Sequence, residues 1–125
     1  MKCELCLKAF THLLRRTDEL INWLRKAERG DLDDVTISYI KDTILSIRIH
    51  GINELKKCVK EEIIKPFEDT YLKAEQEVRK VLEMPKERRS SDMIAFIRRS
   101  LYPYYSETGE INKLIPEIAE ACKEG

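Results

Sequence analysis

Apolar residues recur at intervals of three and four along nearly the whole of this chain, and that period leaves few alternatives to packed α-helices. Over residues 3–27 the series Cys3, Cys6, Leu7, Phe10, Leu13, Leu14, Thr17, Leu20, Ile21, Leu24 and Ala27 traces one helical face. Lys8, Arg15, Arg16, Asp18, Arg25 and Lys26 fall between them, so the spacing predicts one long amphipathic helix. Gly30 stands where a left-handed residue would close it, after Lys26 and Arg29, whose charges suit the negative end of the helix dipole.

Asp33 or Asp34 then offers an N-cap. A second periodic run passes through Ile37, Ile40, Ile44, Ile47, Leu55, Cys58, Val59, Ile63, Phe67, Tyr71, Ala74, Val78, Val81 and Leu82, and Pro85 closes it. Ile47-Arg48-Ile49 alternates like a strand, but a lone strand has nothing to pair with, so helix is expected there too. Unbroken over residues 34–84, this helix would be about 75 Å long. A compact chain of this size measures roughly 36 Å across. A break near Gly51 and a bend near Pro66 are therefore expected, and the remaining span of about 50 Å over residues 52–84 favours a dimer or higher oligomer.

Lys86-Glu87-Arg88-Arg89-Ser90-Ser91 reads as a charged connector whose serines can cap a helix carrying Ile94, Ile97 and Leu101, which Pro103 ends or kinks. Ser106-Glu107-Thr108-Gly109 reads as a loop, and a short last helix carries Ile111, Leu114, Ile115, Ile118 and Cys122, with Pro116 tolerated in a first turn. With 125 residues, no repeat and no linker, the expectation is all-α: one helical-bundle domain, residues 1–125, of about five helices with a long first and third.

Composition narrows function mainly by exclusion. The 23 basic and 23 acidic side chains cancel, so attraction to nucleic acid or membrane must come from local clusters. No apolar run approaches a membrane span, and Met1-Lys2-Cys3-Glu4 does not open a signal peptide, which places the protein in the cytoplasm with no membrane partner. Glu and Lys are abundant while Asn22, Asn53, Asn112 and Gln76 are the only amides, a heat-adapted pattern. Intracellular disulfides occur in hyperthermophiles, so a bridge involving Cys122 is open to this chain.

Cys3-Glu4-Leu5-Cys6 followed by Lys8-Ala9-Phe10 resembles the first half of a zinc finger, in which two thiolates hold one side of a tetrahedral zinc. The histidine half is missing: Glu19 and Trp23 lie in its place and His12 is too near. Cys58, Cys122 or His12 would have to complete such a site. Redox use of the same Cys-x-x-Cys, at a helix N-terminus, is the other chemical reading, and core packing of small apolar thiols is the plainer one. Ferritin-like di-metal chemistry needs Glu-x-x-His, which neither His12 nor His50 supplies. Glu61-Glu62 opens the magnesium motif of all-α nucleotide pyrophosphatases, but Lys65 stands where its third carboxylate belongs. Four isolated glycines make no phosphate loop, and no serine sits in an elbow motif. No catalytic residue and no cofactor is assigned.

Residues 86–105 hold the densest recognition chemistry: Arg88, Arg89, Arg98 and Arg99, then Tyr102, Tyr104 and Tyr105. Guanidinium groups suit phosphates and exposed tyrosines stack on unpaired bases, so a single-stranded nucleic-acid surface is one reading. Arg and Tyr are equally at home in a protein contact. The primary expectation is an interaction or scaffold protein that self-associates or binds a protein partner, with Phe10, Leu13, Leu20, Trp23 and Leu24 as interface or core anchors on the first helix.

Overall fold

Helix α1 (Lys2–Glu28) buries Cys6, Ala9, Leu13, Thr17, Leu20, Ile21, Leu24 and Ala27 along one face. It ends at Gly30, whose φ of 115° is the only positive value among the described residues. The Gly30 N–H donates to the Ala27 carbonyl at 3.0 Å and the Asp31 N–H to the Lys26 carbonyl at 3.4 Å, the paired closure that satisfies two free helix-end carbonyls. Asp33 caps the next helix, its carboxylate accepting the Thr36 N–H at 2.8 Å.

The computed structural model describes residues 2–106 and 108–124, so Glu107 of the expected loop lies outside the described residues, as do Met1 and Gly125. The described residues form a single compact domain of helices, with no strand among them.

Helix α2 (Asp34–Ser46) does not break at Gly51. It runs on through a π-helical stretch, Ile47–Ile52, and a last turn, Asn53–Leu55. The strand-like Ile47-Arg48-Ile49 is thus helical but over-wide. Ile44, Ile47, Gly51, Ile52 and Leu55 stay buried through this stretch. Gly51 meets the first helix: a Cβ built on it would sit 3.5 Å from the Leu13 Cβ and 3.6 Å from the Ala9 carbonyl oxygen. That is ordinary contact, so Gly51→Ala is expected to be stabilising by about 0.4–1 kcal/mol, chiefly by restricting the unfolded chain. A urea midpoint below that of the wild type would show that the π-helical stretch needs glycine.

The break falls instead at residues 56–60, where the chain is tied to its surroundings: Cys58 is bridged to Cys6, Val59 is buried, and the Lys60 N–H donates to Glu117 at 3.0 Å. Helix α3 (Glu61–Glu83) follows, continues past Pro66, and is about 35 Å long by its 23 residues. That matches a compact domain, so the length argument for a second copy falls away. After a 3-10 turn, Lys86–Arg88, helix α4 (Ser91–Tyr105) also runs past its proline, Pro103. A second 3-10 turn, Glu110–Lys113, leads into α5 (Leu114–Glu124), whose Pro116 is third in the helix and needs no internal partner.

Helix α1 packs on α2 with its π-helical continuation, on α4 and on α5, while α3 packs on α2 and α4. Tyr71 of α3 reaches across the core to α1, where its hydroxyl lies 3.0 Å from that of Thr17. Burial pushes the Tyr71 hydroxyl up to about 12, against a smaller lowering by the Thr17 bond.

Candidate functional site

Antiparallel helices α3 and α4 pack on each other and leave an open groove along their outer side. On α3 the core face takes Ile64, Phe67, Tyr71, Ala74, Val78 and Val81, so the next positions round, Lys73, Glu77 and Lys80, form one rim. On α4 the core face takes Ile94, Ile97 and Leu101, and Phe96 falls out of that phase. Phe96 is 54% exposed and stands between two adjoining depressions that share Glu77, Phe96 and Ile97. The larger, about 430 Å³, is floored by Val81, Met84 and Met93 and ends at Lys80 and Asp92. The smaller ends at Thr70, Lys73 and Ser100. Along the rim, Glu77 pairs with Lys80 at 3.1 Å, while Lys73 and Asp92 have no ion-pair partner among the described residues. An exposed aromatic on an apolar floor, ringed by both signs of charge, suits docking of another protein surface better than catalysis.

The Arg/Tyr stretch is divided between inside and outside. Arg89 is buried: its Nε donates to the carbonyls of Val81 at 3.0 Å and Met84 at 3.1 Å, and its two Nη atoms to Leu82 at 2.9 Å, Leu32 at 2.7 Å and the Asp34 carboxylate at 2.6 Å. It closes the end of α3 and ties it to the start of α2, so it is not open to a phosphate. Arg98 forks onto Glu28 at the end of α1, at 2.6 and 3.1 Å, and that bond holds its guanidinium above its ordinary range. Tyr104 packs edge-on against Phe67, and the buried Tyr105 hydroxyl has no hydrogen-bond partner among the described residues. Arg88, Arg99 and Tyr102 remain at the surface.

Cys3 and Cys6 are not paired with each other. Cys3 is bridged to Cys122 in α5 and Cys6 to Cys58 in the break before α3, with Cα separations of 4.6 and 6.0 Å. In that state neither sulfur is a thiolate that could bind zinc, and among the described residues no three His, Cys, Asp or Glu side chains gather as a metal site. On the first helix Leu13, Leu20 and Leu24 are fully buried, while Phe10 and Trp23 pack at the margin of the core. Trp23 lies 4.6 Å from the Tyr39 ring, with the Lys26 ammonium 4.7 Å from its own ring centre.

Three features escaped the sequence reading. Phe96 had a signal, since it breaks the spacing of Ile94, Ile97 and Leu101. Glu75 had none: it is buried on α3 between Arg48, at 2.6 Å, and Arg79, at 3.0 Å. The two histidines, His12 and His50, come within 5.8 Å of each other, and burial holds the His12 imidazole below its usual range. No helix among the described residues is long and apolar enough to cross a membrane. No family model, curated protein or solved structure matches the chain.

Proposed function

We propose that this protein is a helical-bundle interaction module that pairs with a second copy of itself through the α3/α4 groove. The observation carrying this reading is the layout of the groove about Phe96. A closed dimer is usually two-fold, and a two-fold patch must be its own complement. With the axis at Phe96, the Asp92 end of one copy meets the Lys73 end of the other, and this happens twice. The apolar floor of Val81, Met84 and Met93 supplies the contact that the charges align.

Sedimentation velocity over a wide concentration range tests it. Wild type is expected to shift from monomer to dimer, and Phe96→Asp to weaken dimerisation by about 30-fold or more, the loss of one central anchor. Lys73→Asp and Asp92→Lys are each expected to weaken pairing, and the double variant to recover it. A wild type that stays monomeric throughout, or a double variant weaker than either single one, would overturn the reading.

A further inference from the structure

The two cysteines of the Cys-x-x-Cys, in the first turns of α1, are each bridged to a different segment of chain. The two bridges are therefore neighbours, one helical turn apart on the same face. Cys6 is fully buried and Cys58, Cys3 and Cys122 are half-buried, so the outer bridge offers an external thiol two accessible sulfurs and the inner bridge only one. Near a helix N-terminus a freed Cys3 is favoured as thiolate, the form that attacks disulfides.

We propose that the four cysteines form an exchange-active unit that oxidises a dithiol and, in one two-electron event, releases both tethered segments. A thiolate of the dithiol attacks the Cys122 sulfur and expels Cys3 as thiolate. The second thiol of the reductant then closes its own disulfide and releases Cys122, which takes up a proton. The Cys3 thiolate attacks the Cys6 sulfur, the Cys3–Cys6 bond forms, the Cys6–Cys58 bond breaks, and Cys58 leaves and takes up the second proton. Two hydrogens and two electrons pass from the dithiol to Cys58 and Cys122, and the protein keeps one disulfide.

Residues three apart on a helix have Cβ atoms roughly 5–6 Å apart. A disulfide needs roughly 3.5–4.5 Å. The first turn must therefore tighten, which the end of a helix can do once Cys122 has let go. The new bridge spans three positions in place of 52, so the exchange returns freedom to the chain that Cys6–Cys58 had removed.

The test uses the full, oxidised wild-type chain and dithiothreitol at one equivalent, with acid quenching, alkylation of free thiols and mapping of the bridges by mass spectrometry of unreduced peptides. The species with two thiols is expected to carry label on Cys58 and Cys122 and to retain a Cys3–Cys6 bridge. Label on Cys3 and Cys122 with Cys6–Cys58 intact would overturn the proposal, as would passage from two bridges to four thiols with no such species. Cys3→Ser removes the attacking group, so Cys6–Cys58 in that variant is expected to be reduced at least about tenfold more slowly than in the wild type. An unchanged rate would count equally against it.

Discussion

Replacing Arg89 with alanine is expected to lower the free energy of unfolding by about 3–5 kcal/mol, more than replacing any surface-facing arginine in the chain. The guanidinium is buried, and it is the shared partner of the Val81, Leu82 and Met84 carbonyls at the end of α3, of the Leu32 carbonyl and of Asp34. Helix-end carbonyls carry partial negative charge, and although the Val81 carbonyl keeps the Met84 N–H at 3.1 Å, removing the cation leaves those of Leu82, Met84 and Leu32 without it in a place water reaches poorly. Asp34 is exposed and will be resolvated, so its ion pair accounts for little of the loss. Arg89→Lys is expected to recover only a minor part, because one ammonium cannot span the carbonyls of both loops that the planar fork joins. Urea denaturation followed by circular dichroism measures this. A loss under about 1 kcal/mol would mean that water enters and satisfies the carbonyls after truncation.

Full reduction of both bridges is expected to lower stability by about 4 kcal/mol without unfolding the protein. The Cys3–Cys122 bridge joins residues 119 apart and so restricts almost the whole unfolded chain. The Cys6–Cys58 loop, 52 residues in separation, lies inside the first and adds less than it would alone. The fold should survive because the buried apolar cluster draws on α1, α2, α3, α4 and α5 independently of the sulfurs. Guanidinium unfolding with and without a phosphine reductant gives the difference directly. A reduced protein as stable as the oxidised one would place the bridges' effect outside stability, and one without helical signal would make them a condition of folding.

The elements of the fold were legible to very different degrees. The start and stop of α1, the Asp33 cap and the first-turn place of Pro116 follow from local chemistry, since a cap or a missing donor acts within one turn. The break at residues 56–60 was not legible, because Lys56-Lys57-Cys58-Val59-Lys60 contains neither glycine nor proline. The chain is interrupted there by distant partners, Cys6 and Glu117, that local pattern cannot name. Pro66 does not interrupt α3: a proline that costs one hydrogen bond can be held in a helix when Ile64 and Phe67 on either side are buried.

By itself the sequence determined that this chain would be helical and which faces would turn inward, because a three-four apolar period can bury its surface only in that form. Which arginine would lie inside and which outside, and which cysteine would meet which, were decided by tertiary structure alone. Arg88 and Arg89 are adjacent and chemically identical, yet one is solvated and the other closes a helix, because only the packed chain brings the Leu32 and Leu82 carbonyls to the same guanidinium.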